Sequence, residues 1–332
     1  MQVACRARTG VVKLENIDVR KQLEDLRLPL FAAPMFLISG PELVINACKA
    51  GIIGAFPTPN CRTTDDLEQW LTEIDAALSR GDDSQAPQYA PYAANLVVHR
   101  TNKRLPDDLE IVVRHRAPIV ITALGSPARV VDAVHAYGGL VFADVNSVMY
   151  AKKAADAGAD GLVLVCSGAG GHTGALNPFS FVYEVRRFWD GYIALAGGIA
   201  SGAAVLASRA AGADFAYMGT SFIATDESLA EPDYKDMLVA CTAEDLIVTK
   251  AFTGANASMM KPSIVNQGLD PDEIANSEAK MNFSGQDGAE VKPWKGIWGA
   301  GQGVGCIDEI QPVANLVERL DSEYREAVKT IR

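Results

Sequence analysis

Eight short apolar runs alternating with segments of helical spacing predict a TIM barrel, the (β/α)8 fold, carrying a C-terminal helical extension or lid. Three observations support this. The chain has 332 residues, 48% apolar and 21% charged, which is enough for one large α/β core with extra helices. The alternation of strand and helix patterns calls for a parallel sheet, with an open doubly wound sheet as the lesser alternative. Three consecutive runs, GLVLV (161–165), YIALA (192–196) and DFAYM (214–218), each end in a glycine-rich turn of the kind that lets backbone approach a ligand.

In chain order, a polar lead-in is followed by LPLFAAPM (28–35), a first strand ending at Pro34-Met35. A helix over 41–50 leads to IIGAF (52–56), the second strand. In 65–78 the residues Leu67, Leu71, Ile74 and Leu78 share one helical face. The third strand, 92–97, contains Asn95 and runs on to His99 and Arg100. A helix over 107–116 precedes PIVITAL (118–124), the fourth strand, and a Gly-Ser-Pro turn starts the next helix at Pro127. LVFAD (140–144) is the fifth strand and 147–157 the helix after it. The three glycine-ended runs are strands six to eight, with a helix opening near Ser201 after the seventh. Beyond Asp226 the periodicity weakens: 234–241 and 272–281 read as helices around a polar excursion at 253–268. GIWGAGQGVG (296–305) then precedes a final amphipathic helix, 313–331. The barrel is therefore expected over 1–225 and the C-terminal 306–332, with 226–305 as a helical lid or small subdomain over its mouth.

A net charge of −11 and a pI near 4.9, without any basic stripe, oppose binding to nucleic acid or to an anionic membrane surface. The six cysteines form no CxxC pair and no metal-ligand spacing, as expected of reduced thiols. The N-terminus lacks the apolar core of a signal peptide, and no run approaches the roughly 18–20 apolar residues of a membrane span. A cytoplasmic protein without metal is expected.

Chemistry gathers at the strand ends. His172 stands among Gly168, Gly170, Gly171 and Gly174 on the loop after strand six, where a barrel presents catalytic groups and where a side chain titrating near neutrality is useful. A loop histidine bonded to a backbone carbonyl is the alternative. Gly197-Gly198 and Gly219-Thr220, at successive strand ends, can form a phosphate cup from backbone amides and a hydroxyl, or can merely make tight turns. No GxGxxG follows the first strand, which argues against a Rossmann dinucleotide site. Asn95, Asp144 and Asn146 can each hydrogen-bond a heterocycle or cap the next helix; Asn95 reads first as a ligand contact, Asp144 and Asn146 first as caps. His115 and His135 belong to surface segments, and Trp294, Trp298, Met259 and Met260 read as packing residues.

The set APM (33–35), Asn95, AGGHTG (169–174), AGGI (196–199) and MGTSF (218–222), with GAGQGVG (299–305) in the tail, resembles the nitronate monooxygenase (2-nitropropane dioxygenase) family, which is related to the FabK-type flavin enoyl-acyl-carrier-protein reductases. The resemblance implies a TIM barrel that binds FMN non-covalently. It puts Gly197, Gly198, Gly219 and Thr220 on the phosphate, Pro34, Met35 and Asn95 around the isoalloxazine and ribityl, and His172 over the flavin as the catalytic residue. Gln302, Asp144 and Gly171 complete the cofactor candidates. Two positions depart from the family pattern: Gly168 stands where many members have glutamate, and Asp144 where relatives often carry Lys, Gln or Ser. Both bear on the substrate more than on the cofactor.

The expected activity is oxidation of alkyl nitronates by O2 to a carbonyl compound and nitrite. The partners are then a small nitronate or nitroalkane and O2, with the chain a monomer or homodimer. An NAD(P)H-dependent FMN reductase of enoyl thioesters or quinones would use the same cup and histidine. A non-enzymatic nucleotide-binding regulator would keep the cup and have no use for His172.

Overall fold

The apolar runs form strands because both of their faces are covered, so hydrophobic residues continue along them without alternation. The computed structural model describes residues 18–79, 88–275 and 294–331. Its strands are β1 (Leu30–Ala32), β2 (Ile53–Pro57), β3 (Tyr92–Val97), β4 (Ile119–Ala123), β5 (Leu140–Val145), β6 (Gly161–Val165), β7 (Gly171–His172), β8 (Tyr192–Ala196), β9 (Phe215–Met218), β10 (Leu246–Thr249) and β11 (Ala257–Met260). All but β7, β10 and β11 form one closed parallel barrel in the order β1-β2-β3-β4-β5-β6-β8-β9. The ring closes through Leu30↔Ala216, Phe31↔Tyr217 and Ala32↔Met218. This is the TIM barrel that the sequence predicts.

The barrel is filled, not hollow. Phe31 meets Phe142 at 5.5 Å and Phe215 at 5.4 Å between ring centroids, forming an aromatic layer across the interior. Gly161 is required by that layer, since a side chain there would collide with the Phe142 ring. Val19 and Leu23, from helix α1 (Val19–Glu24), join the interior cluster. The sequence reading took α1 for part of a polar lead-in.

The outer helices are α2 (Pro41–Lys49), α3 (Thr64–Leu78), α4 (Leu105–Arg114), α5 (Val131–His135), α6 (Val148–Asp156), α7 (Pro178–Arg186) and α8 (Gly202–Ala210), followed by a single turn, α9 (Thr220–Ile223). Several are opened by side-chain caps: Thr63 and Asp66 form a capping box on α3, and Ser147 and Ser201 accept from Tyr150 N and Ala204 N. In the tail come α10 (Pro232–Ala240), α11 (Lys261–Asn266), α12 (Pro271–Ala275) and α13 (Val313–Ile331). Helix α13 packs on α8 and α2, burying Val313, Leu316, Val317 and Leu320. Gly202 lets the first turn of α8 approach it closely, and Arg27 reaches Asp321 at 2.9 Å.

Two sequence readings change. Helix α7 lies between strands six and seven, where no helix bounds are assigned from the sequence. The tail is not all helical: β10-β11-β7 form an antiparallel sheet, with Ala257↔His172 and Ser258↔Gly171. The segment read as a polar excursion holds β11, whose four residues are all buried. Of the helix expected over 272–281, residues through Ala275 are helical and the remainder lies outside the described residues. Among the described residues no helix is long and apolar enough to cross a membrane, and no group of three or more His, Cys, Asp or Glu side chains is placed to hold a metal.

Candidate active site

The glycine turns converge at the C-terminal end of the barrel. Gly168 is the junction: its carbonyl accepts from Gly198 N at 3.2 Å and from Gln302 N at 2.9 Å, tying the loop after β6 to the loop after β8 and to the tail. Gly301 donates to Thr220 Oγ1 at 2.9 Å, which ties the same tail turn to the end of β9. Ala33 N donates to Met218 O, and a Cβ on Gly219 would lie 3.3 Å from Met35 Sδ, so the end of β1 adjoins the end of β9. Pro34, Met35, Gly197, Gly198, Gly219, Thr220 and Gln302, dispersed in sequence, thus come from connected turns of one rim.

Backbone geometry explains two of these glycines. Gly198 has φ +68, and a Cβ there would meet nothing within 4 Å, so its missing side chain leaves open a cradle at the mouth. Gly168 has φ +85, and a Cβ there would lie 2.9 Å from Gln302 Oε1. A side chain at this φ would be strained, while the Gln302 amide, the mobile end of a side chain, could move aside.

His172 is carried on β7, fixed by pairing with β11 and not by a free loop. Gly171, at φ +61, precedes it and lies against the indole of Trp294. Trp294 meets the His172 ring edge-on, with centroids 5.3 Å apart and planes at 65°. The histidine stays open to solvent, yet the surrounding protein desolvates its ring enough to lower its pKa below the ordinary value. That shift favours the neutral imidazole, the form able to accept a proton.

Inside the mouth, Asn95 on β3 is 5% exposed, and its amide reaches Ile121 O at 3.4 Å. Asp144, on β5, lies on the same strand face as Phe142 of the aromatic layer and so points into the barrel. Burial pushes its carboxyl up to about 7. It caps no helix; Ser147 does that for α6, and Asn146 is exposed. Tyr217 shares the inward face of β9 with Phe215, and its ring lies 5.6 Å from Phe31. The sequence reading passed over Tyr217, although its spacing of two from Phe215 marks the face. It also took Trp294 for a packing residue, and nothing in the local sequence connects that residue to His172.

The remaining histidines lie elsewhere. His99 pairs with Thr101 on an exposed loop, His115 with Asp75 and Glu68 beside α3, and His135 with Asp160.

The rim suits a ligand with a terminal anion and a flat polar ring. Gly198 supplies a cradle that a side chain would fill, Thr220 a hydroxyl, and the interior supplies buried polar atoms, Asp144 Oδ1 and Tyr217 Oη, that no protein group hydrogen-bonds. A non-covalently held FMN fits that set.

A family model described as nitronate monooxygenase matches residues 18–323. The chain is 27% identical over 346 residues to a nitronate monooxygenase of Paraburkholderia phytofirmans, covering 92% of this chain and 94% of that protein. It is also 27% identical over 246 residues to a putative monooxygenase of Mycobacterium tuberculosis, a match over 70% of this chain that spans only 65% of that protein. Among solved structures it resembles FabK from Thermotoga maritima, with a TM-score of 0.75 and 24% identity over 95% of this chain and 97% of that one.

Proposed function

From the premise that this chain belongs to the nitronate monooxygenase family, we propose that it is an FMN-dependent enzyme oxidising alkyl nitronates with O2 to a carbonyl compound and nitrite. The observation that carries the reading is the joining of both glycine turns, through Gly168 and Gly301, to the loop that carries His172.

In this reading Gly197, Gly198, Gly219 and Thr220 hold the FMN phosphate, Pro34, Met35, Asn95 and Asp144 surround the ring and ribityl, and Gly171 and Gln302 complete the rim. When bound, FMN supplies the electron acceptance and the oxygen chemistry. His172 takes the α-proton of a neutral nitroalkane on an unprotonated ring nitrogen, or donates to the oxygens of a nitronate already formed. Trp294 limits the tilt of the imidazole. The strand pairing of β7 with β11 fixes its height above the barrel, so the ring is placed before substrate arrives.

The direct test is the visible spectrum of purified protein: it is expected to be yellow and to release FMN, not FAD, on heat denaturation. A colourless protein that takes up no added FMN would end the flavin reading.

A second reading, an NAD(P)H-dependent FMN reductase of enoyl thioesters or quinones, draws on the likeness of fold to FabK. It uses the same rim and the same histidine. It differs in that anaerobic NADH or NADPH would bleach the flavin within the assay time.

A further inference from the structure

Beneath the rim, Asp144 and Tyr217 form the polar part of an otherwise apolar layer. Asp144 Oδ1 and the Tyr217 hydroxyl are closed off from solvent, and no protein group hydrogen-bonds either of them. The neighbouring strands contribute Ile121, Val163 and Val165 to the same interior cluster, and the aromatic layer lies below. Tyr217 is the titratable neighbour, and the charge of Asp144 raises its pKa further above the ordinary phenol value than burial alone does. Asp144's own shift comes from burial alone, with no cation offsetting it, and His172 stands apart on β7. Natural proteins seldom leave such groups unmatched unless a ligand, water or ion meets them.

What each atom lacks defines the ligand. Asp144 Oδ1 lacks a donor, and the Tyr217 hydroxyl lacks an acceptor for its proton. We propose that Asp144 and Tyr217 together recognise a ring edge that presents an N–H beside a carbonyl oxygen, the pattern of an imide, with Asp144 accepting from the N–H and Tyr217 donating to the oxygen. The pyrimidine half of a flavin carries this edge, so the inference rests on the FMN reading. A nitronate offers oxygens but no N–H, and would satisfy Tyr217 while leaving Asp144 unmatched. The recognition therefore belongs to the cofactor and not to the substrate.

The assignment has a proton consequence. Accepting an N–H favours the carboxylate, so binding lowers the pKa of Asp144 from about 7 and releases a proton. FMN affinity is then fully developed above that value and falls as pH drops through it. The FMN phosphate also titrates in this range, so the informative comparison is with Asp144→Asn, which shares the phosphate contribution and lacks the carboxyl.

The experiment is fluorescence titration of FMN into the full-length, cofactor-stripped protein between about pH 6 and 7.5. Wild-type affinity should gain roughly 3- to 10-fold more across that range than Asp144→Asn does. Tyr217→Phe should keep the wild-type pH profile and bind roughly 5- to 10-fold more weakly at every pH. It also serves if Asp144→Asn fails to fold. Superimposable pH profiles for wild type and Asp144→Asn would overturn the inference while leaving the FMN reading intact. So would undiminished binding by Tyr217→Phe. A wild-type protein that takes up no FMN at any pH would overturn both.

Discussion

His172 is the residue on which the proposed chemistry turns, and its surroundings separate its role from cofactor binding. Gly171 and Trp294 lie against it, while the cradle proposed for the phosphate belongs to other turns. Removing the imidazole should cost chemistry and spare the flavin. His172→Asn is expected to retain FMN and to lose roughly 10²–10⁴-fold in turnover on neutral nitroalkanes, the usual cost of a missing general base. The loss on preformed nitronates should be smaller, because no proton has to be removed. Comparing kcat/KM on the two substrate forms checks this, since equal losses would point to an orienting role instead. Desolvation lowers the pKa of the ring, a direction that agrees with the base assignment.

At the scale of elements, the sequence exposed whatever was local and periodic. Strands 92–97, 161–165 and 192–196 and the last helix, 313–331, agree end to end with β3, β6, β8 and α13, because continuous apolar runs and amphipathic spacing are read within a single segment. The glycine turns were legible for the same reason: each follows its own strand. The sheet that holds His172 was not legible. It joins Gly171–His172 to Ala257–Met260 across a long stretch of chain, and two residues of one strand carry no period at all. Asp144 reads from the sequence first as a helix cap, because a carboxylate near a strand end suits that use, and only the register beneath it reveals the inward face and leaves the cap to Ser147. Among the turns, Gly198 offers the sharpest test. Gly198→Val would set a branched side chain in open space at φ +68 and fill the cradle. The expected outcome is a folded barrel by circular dichroism with FMN content near zero, and full retention of FMN would show that the phosphate lies elsewhere.

For the whole molecule, α13 fastens the end of the chain to the barrel's outer layer through its apolar face and through Asp321. Burial pushes the Asp321 carboxyl up, but hydrogen bonds to Arg325 and Arg27 outweigh it and hold the group below the ordinary carboxylate value. A depressed folded-state pKa contributes stability above the unfolded value of about 4 and loses it as pH falls through the lower folded value. Thermal melts of wild type and Asp321→Asn should therefore differ most near neutral pH and converge in acid. A gap that is constant with pH would mean the carboxylate's charge is not what stabilises the contact. The chemistry proposed for the whole molecule, reduction of a bound FMN by nitronates and not by nicotinamides, is checked by one anaerobic experiment. Yellow holoprotein is mixed anaerobically with an alkyl nitronate or with NADH or NADPH, and the visible flavin band is followed. Bleaching by the nitronate with the band unchanged by nicotinamide is expected of a nitronate oxidase, whereas bleaching by nicotinamide with no response to nitronate would rule that activity out.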